Sequence, residues 1–274
     1  MAPGRIGVVD NPWSHLRAFT DARIGLGRVG ISLPTHELLA FQYAHARARD
    51  AVHLPLDLEA LDQDLAAQAL PWSGAIRLHS QAVGRTEYLQ RPDLGRRLDS
   101  TSRATLQRIG GHAAPVYDLA LVVVDGLSSR AIQDNAVPFL KALDDTLNAD
   151  SADVWRLAPL TVVNQGRVAV GDEVGELLNA NTVVVLVGER PGLSSPDSLG
   201  LYLTWGPKTG RADSERNCIS NVRPAGLAPE EAARRLMYLL RESRQLGLSG
   251  VGLKDRTTDD VIEHHQESKV FLLS

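Results

Sequence analysis

The chain is poor in cysteine and in aromatic residues, and it has no apolar run long enough to span a membrane. Its one cysteine, Cys218, excludes an intrachain disulfide framework, and the N-terminus lacks the basic-then-apolar layout of a secretory signal. We therefore expect a cytoplasmic protein that is not embedded in a membrane. Aromatic residues make up 5% of the chain, which leaves few platforms on which single-stranded nucleic acid could stack.

An excess of positive charge is also missing. The 29 Lys and Arg residues against 33 Asp and Glu residues give a formal net charge of −4, which argues against nucleic acid as a partner. Of the 274 residues, 43% are hydrophobic and 23% are charged, which is the composition of an ordinary packed protein. A chain of this length forms either one large domain or two smaller ones, and we expect two.

The first part of the chain predicts an arm followed by two helices. Residues 1–34 are rich in Gly, Pro and Arg and show no hydrophobic period, whereas Thr35 and Asp57 are suitable N-caps for the helical patterns that follow. The sequence Pro71-Trp72-Ser73-Gly74 then breaks the pattern. We therefore place an N-terminal arm and helical domain at residues 1–70 and a second domain at residues 71–274.

The second domain alternates strand and helix patterns. The predicted segments are a strand at Ala75–Val83, a helix from Arg91 to Ile109, a strand at Leu119–Val124, a helix capped by Ser128 and interrupted near Pro138, a strand within Val154–Val163, a helix at Asp172–Asn179, strands at Thr182–Val187 and Leu199–Trp205, and a helix at Pro229–Leu246 closed by Gly247. Such alternation favours an α/β fold, a Rossmann-like parallel sheet with helices on both faces, behind the small helical N-terminal domain.

Ligands of such sheets bind beyond the carboxyl ends of the strands, where neighbouring loops meet. Three loops should therefore form the site, Asp125–Ser129, Gln165–Val168 and Gly188–Ser195. The chain contains neither a G-x-G-x-x-G fingerprint nor a Walker phosphate loop, which argues against dinucleotide binding and NTP hydrolysis. Each loop could also be an ordinary turn, since Gly and Pro are common in turns.

Several residues could carry chemistry, and each has a structural alternative. Asp125 and Ser128 could serve a stand-alone α/β nucleotide-binding enzyme, but the segment lacks the second glycine of a G-x-S-x-G elbow. Three roles are open for Cys218: a nucleophile, a small buried side chain that fills space in the core, or an unreactive side chain that lines a ligand pocket. His112 has no acidic partner in sequence, and the pair His264-His265 lacks a further metal ligand at suitable spacing.

Five longer motifs say more than the composition. They are Tyr88-Leu89-Gln90-Arg91-Pro92-Asp93-Leu94-Gly95-Arg96-Arg97-Leu98, Asp125-Gly126-Leu127-Ser128, Val174-Gly175-Glu176-Leu177-Leu178, Leu186-Val187-Gly188-Glu189-Arg190-Pro191-Gly192-Leu193 and Cys218-Ile219-Ser220-Asn221. In order and spacing, these motifs resemble the small (light) subunit of ethanolamine ammonia-lyase. The resemblance runs from about Gly25 to Asp255, and the tail Arg256–Ser274 has no counterpart.

The resemblance implies a function and three site residues. That family's enzyme uses adenosylcobalamin to convert ethanolamine to acetaldehyde and ammonia, and its cofactor lies between the small subunit and a substrate-binding large subunit. The family's cobalamin contacts match Val168, Glu189 and Cys218. The resemblance thus implies a subunit that is inactive alone, supplies no catalytic residue and no metal ligand, and assembles with the large subunit in the cytoplasm or in a bacterial microcompartment.

Overall fold

The computed structural model describes residues 7–72, 74–110, 116–150 and 154–254. Its helices are α1 (Thr35–His53), α2 (Leu58–Ala67), α3 (Arg85–Gln90), α4 (Ser100–Ile109), α5 (Ser129–Ala149), α6 (Val170–Leu177) and α7 (Pro229–Leu246). Its strands are β1 (Ile76–His79), β2 (Tyr117–Val124), β3 (Thr161–Asn164), β4 (Ala180–Gly188), β5 (Leu199–Trp205) and β6 (Asn217–Val222). The histidines at 112, 264 and 265, the start of the arm and the tail lie outside the described residues.

Three helix ends follow the predicted capping chemistry. The Asp57 carboxylate accepts hydrogen bonds from the first turn of α2, and Ser128 Oγ accepts one from the N–H of Ala131 at the start of α5. Gly247 ends α7 in the left-handed conformation, with φ of 65°. The predicted break near Pro138 is wrong, because α5 runs through that proline without interruption.

The six strands form one sheet in the order β1-β3-β2-β4-β5-β6. The pairs among β1, β3, β2 and β4 are parallel, but β5 pairs antiparallel with both β4 and β6. The mixed α/β class is therefore confirmed, and the prediction of an entirely parallel sheet is wrong. The reason is the connection after β4: loop 189–198 contains no crossover helix, and a chain without one can only turn back beside its own strand.

Helices pack on both faces of the sheet because successive side chains of its strands point to opposite sides. On one face, Leu121 and Val123 of β2 lie in a hydrophobic cluster with residues of α2, α5 and α7. On the other, Val122 and Val124 lie in a second cluster with residues of α4 and α6. The predicted apolar run of β2 is thus buried on both sides.

The two N-terminal helices differ in how they are buried. Leu61 and Leu65 of α2 are fully buried in the cluster that includes the sheet, whereas Phe41 and Tyr43 of α1 remain exposed. The domain boundary at residue 70 stays a prediction, because α2 packs into the same hydrophobic cluster as the sheet of the second domain. Within the described ranges, no helix is both long enough and apolar enough to cross a membrane.

Candidate functional site

Five strands bring their ends together at one edge of the sheet. Parallel pairing places the carboxyl ends of β2, β3 and β4 side by side, with Val124 opposite both Val163 and Val187. The antiparallel pairs then bring the first residue of β5, Leu199, opposite Gly188 and also opposite Val222, the last residue of β6. The three loops predicted to matter therefore leave the sheet at the same edge.

A cleft of about 420 Å³ lies at this edge. Its lining residues are Tyr88, Gly126, Leu127, Arg167, Val168, Val187, Gly188, Glu189, Arg190 and Tyr202. Two of the three predicted site residues, Val168 and Glu189, thus line one cavity. The third, Cys218, lies one strand away as the cross-strand partner of Tyr202.

The Glu189 carboxylate is held by its own chain. Ser220 Oγ donates to Oε1 at 2.6 Å, Ser198 Oγ donates to Oε2, and the N–H of Asn221 donates to Oε2 at 3.3 Å. A Cβ at Gly200 would lie 2.8 Å from Oε1, so a larger residue there would push the carboxylate away. The side chain of Glu189 is therefore fixed at the point where β4, β5 and β6 meet.

Cys218 is exposed, and its thiol contacts the hydroxyl of Tyr202. Partial desolvation raises the pKa of Cys218; the Tyr202 hydrogen bond opposes this shift and the Glu189 charge adds to it. Burial also raises the pKa of Tyr202. Because a nucleophilic cysteine needs a lowered pKa, the raised pKa of Cys218 argues against a nucleophilic role.

A buried ion pair connects the part of the chain that bears Val168 to the part that bears Cys218. Arg216 Nη2 lies 2.7 Å from Asp172 Oδ2, and the two side chains are 2% and 1% exposed. Asp172 belongs to α6, which begins just after Val168, and Arg216 lies just before β6. A forked guanidinium–carboxylate contact thus joins the start of α6 to the start of β6.

Asp125 positions the loop after β3. Its carboxylate accepts hydrogen bonds from the N–H groups of Gln165 and Gly166 at 3.0 and 3.1 Å, and Arg85 Nη1 lies 3.8 Å away. Burial raises the pKa of Asp125, although the Gln165 N–H and the Arg85 charge oppose that shift. Asp125 is buried and connects the loop after β2 to the loop after β3.

Ser128 is also part of the framework. Its hydroxyl donates to the carbonyl oxygen of Pro196 at 2.7 Å and accepts from the N–H of Ala131 at 3.1 Å, and the residue is fully buried. A nucleophile must be able to reach its substrate, which this hydroxyl cannot do. The alternative site built on Asp125 and Ser128 therefore has no support from the geometry.

Sequence reasoning missed an arginine–tyrosine cluster beside the cleft. The guanidinium groups of Arg85 and Arg167 lie 4.8 and 4.6 Å from the ring centre of Tyr88, which is 1% exposed. Burial raises the pKa of Tyr88 to about 12, and the Asp125 charge contributes to the shift. The only sequence signal for this cluster was the Tyr88–Leu98 motif, because Arg167 lies 79 residues from Tyr88 in the sequence.

The arrangement is suited to binding and not to bond cleavage by its own groups. It offers apolar surface at Val168, a fixed carboxylate at Glu189 and guanidinium N–H groups at Arg167 and Arg190. Across the described ranges, no group of three or more His, Cys, Asp or Glu side chains is placed to hold a metal ion. A large organic ligand fits this set of donors, acceptors and apolar surface.

Comparison with known proteins identifies the family. Residues 10–254 match the family described as ethanolamine ammonia-lyase light chain (EutC). The chain is 54% identical over 257 residues to the ethanolamine ammonia-lyase small subunit of Pseudomonas aeruginosa (strain UCBPP-PA14), covering 93% of this chain and 91% of that protein.

Relatives in other species give the same result. Identity to the ethanolamine ammonia-lyase small subunit of Pseudomonas fluorescens (strain Pf0-1) is 54% over 253 residues, covering 92% of this chain and 90% of the relative. Identity to that of Ralstonia nicotianae (strain ATCC BAA-1114 / GMI1000) is 53% over 259 residues, covering 93% of each. The family predicted from the five motifs is confirmed, and the chain belongs to the ethanolamine ammonia-lyase light chain family.

Proposed function

We propose that this chain is the small subunit of an adenosylcobalamin-dependent ethanolamine ammonia-lyase and forms one wall of the cofactor site. The enzyme would convert ethanolamine to acetaldehyde and ammonia in the cytoplasm, with the substrate bound mainly by the large subunit. The observation that carries the proposal is that Val168 and Glu189 line one cleft while Cys218 lies beside it. Family membership supplies the expected partner and reaction.

The residues at the cleft suit a corrin, which is a broad apolar disc with amide groups around its rim. Val168 packs against the core of the sheet and offers apolar surface to the cleft, while the Glu189 carboxylate can accept from amide or hydroxyl donors. The buried Nε of Arg167 has no hydrogen-bond partner among the described residues. An acceptor on a bound ligand would satisfy such a group.

The chemistry that adenosylcobalamin supplies when bound is homolytic cleavage of its cobalt–carbon bond. The role of this chain is to bind and orient the cofactor and to keep water away from the reacting centre. Cys218 is assigned to packing beside Tyr202 and is not proposed as a cobalt ligand. No catalytic residue is assigned to the small subunit.

The size of the cleft supports a site that is shared with a partner. A volume of about 420 Å³ suits a drug-sized ligand, whereas adenosylcobalamin is far larger. Well-held ligands bury most of their surface, about 70–90% for drug-sized molecules. One wall at a sheet edge cannot enclose a corrin, so the second wall must come from the large subunit.

The decisive experiment mixes purified chain with the large subunit of ethanolamine ammonia-lyase, adenosylcobalamin and ethanolamine. Ammonia release and retained corrinoid are both measured for each protein alone and for the mixture. We expect turnover and tight cofactor retention only in the mixture. Turnover by this chain alone would support a stand-alone enzyme, and assembly without any change in cofactor retention would reduce the chain to a scaffold. Either result would overturn the proposal.

A further inference from the structure

Two arginines at the cleft form no ion pair with an acidic residue in the part of the chain that the structure describes. Arg167 and Arg190 both line the 420 Å³ cleft, and both also line a neighbouring cavity of about 440 Å³ that includes Leu127 and Val52. No ion pair joins either guanidinium to a carboxylate within the described residues. The two cavities therefore share a positively charged border.

Two carboxylates at these loops already accept hydrogen bonds from the chain itself. Asp125 accepts from the backbone of Gln165 and Gly166, and Glu189 accepts from two serines and a backbone N–H. Asp125 is also the only one of the two that approaches an arginine, and that arginine is Arg85, at 3.8 Å. Within the described residues, neither carboxylate therefore forms an ion pair with Arg167 or Arg190.

Hydrogen-bonding capacity is left over as well. Arg167 donates through Nη2 to the carbonyl oxygen of Tyr88 at 3.1 Å, but its buried Nε has no acceptor among the described residues. The buried Nη2 of Arg85, beside the same tyrosine ring, also lacks one. A buried N–H without an acceptor is costly, and two such groups beside a cleft point to an anionic ligand that supplies oxygens.

We propose that Arg167 and Arg190 form a subsite for a phosphate group. Guanidinium groups match the oxygens of a phosphate in geometry and keep their charge at every physiological pH. The inference rests on the proposed function: with adenosylcobalamin as the cofactor, the phosphate is the phosphodiester of its nucleotide tail. That group carries a negative charge, whereas the side chains around the corrin rim are amides.

The test compares three corrinoids that differ only in the tail: adenosylcobalamin, adenosylcobinamide phosphate and adenosylcobinamide, which has no phosphate. Dissociation constants are measured by equilibrium dialysis and absorbance on the complex with the large subunit. Arg190→Ala should weaken binding of the two phosphate-bearing ligands by roughly 10- to 100-fold and leave adenosylcobinamide unchanged. Arg190 is exposed, so this variant should fold, and Arg167→Lys provides a second one.

Arg108→Ala is the matched control, because Arg108 is exposed near the end of α4, where Gly110 meets Leu177 at the opposite edge of the sheet. This control should bind all three corrinoids like the wild type. Equal losses for all three ligands in Arg190→Ala, or no loss for any, would overturn the phosphate subsite. If the wild-type complex fails to bind adenosylcobalamin at all, the proposed function itself is wrong.

Inorganic phosphate separates the cofactor tail from a free ion. If the arginines hold the tail, phosphate should compete with adenosylcobalamin and leave the affinity for adenosylcobinamide unchanged. Simultaneous, independent binding of phosphate and adenosylcobalamin at the arginines would overturn the assignment to the cofactor. Affinity is read directly in every arm, so the result does not depend on turnover.

Discussion

The backbone N–H of Leu127 donates a hydrogen bond to the carbonyl oxygen of Gly188, 2.8 Å away. This bond holds the loop after β2 against the end of β4. The next residue, Glu189, lines the cleft. The approach leaves no room for side chains: a Cβ at Gly188 would lie 2.0 Å from the carbonyl oxygen of Ser128, and one at Gly126 would lie 2.3 Å from that of Gly188.

Replacing Gly188 should therefore destabilise the fold. Gly188→Ala should lower the free energy of unfolding by at least about 2 kcal/mol, because two backbone segments would have to move apart. Urea denaturation of the purified chain measures this. Gly252→Ala is the control, since its Cβ would meet Leu248 at an ordinary 3.5 Å. Equal stability of the two variants would show that the loop contact is not tight.

Glu189→Gln should weaken cofactor affinity more than it changes assembly with the large subunit. The lost carboxylate interaction with donors of the ligand is worth about 1.5–3 kcal/mol, and the new amide N–H₂ would also face the hydroxyl donor of either Ser198 or Ser220. Corrinoid titration of the reconstituted complex measures the loss. Glu176→Gln, at a separate cavity, is the control and should bind normally.

Ser128→Ala distinguishes a structural serine from a nucleophile. Losing the cap to Ala131 and the bond to Pro196 should lower the free energy of unfolding by about 1–2 kcal/mol. Turnover per folded complex should stay within about twofold of the wild type, since a modest loss of stability leaves most molecules folded. A fall in turnover of several orders of magnitude, with stability retained, would support the alternative of a stand-alone enzyme with Ser128 at its site.

Asp118 should make stability depend on pH in the acid range. Burial alone would raise the pKa of this carboxyl, but the N–H and side chain of Arg156 and the charge of Arg244 outweigh it, so the pKa lies below its ordinary value of 3.8. A lowered folded pKa means that the contribution is complete above the unfolded pKa and is lost as the pH falls through the folded one.

The Asp118→Asn variant tests this dependence. At pH 7 its free energy of unfolding should be lower by about 1–3 kcal/mol, because the partly buried, charge-assisted hydrogen bond from the Arg156 N–H is weakened. The difference from the wild type should shrink as the pH falls below 3.8. Asp134→Asn removes an exposed ion pair and should change little at any pH. A difference that persists at low pH would contradict the assignment.

The isolated chain should bind adenosylcobalamin weakly, and the large subunit should raise that affinity sharply. If the two binding events are coupled, adenosylcobalamin must tighten the contact between subunits by the same factor. Titrating corrinoid into the chain and into the complex, and measuring subunit affinity with and without corrinoid, tests both directions. Tight binding by the lone chain, unchanged by the partner, would show that the site is not shared.

Local patterns predicted the central elements well. The apolar, β-branched run of β2 and the amphipathic pattern of α7 lie where expected, because burial on two faces or on one leaves a clear periodicity. Strand β6 was missed because it is short and mostly polar, and only Ile219 and Val222 of its six residues are buried. The direction of β5 was also missed, because a strand's own residues do not encode its orientation.

The sequence predicted only part of the candidate site. Sheet topology pointed to the loops that contain Val168 and Glu189, and the family resemblance added Cys218. The cluster of Arg85, Tyr88 and Arg167 escaped prediction because Arg167 lies 79 residues from Tyr88 in the sequence. Only the folded sheet places both guanidinium groups within 5 Å of one ring.

The three hydrogen bonds that hold Glu189 also have an entropic consequence. Fixing a free side chain when a ligand arrives costs about 0.5–1.5 kcal/mol of conformational entropy. Here Ser198, Ser220 and Asn221 select the orientation of the carboxylate during folding, so that entropy is lost before any ligand arrives. Part of the affinity of the proposed wall is therefore set when β6 pairs with β5, and under the proposed function this precedes any contact with the large subunit.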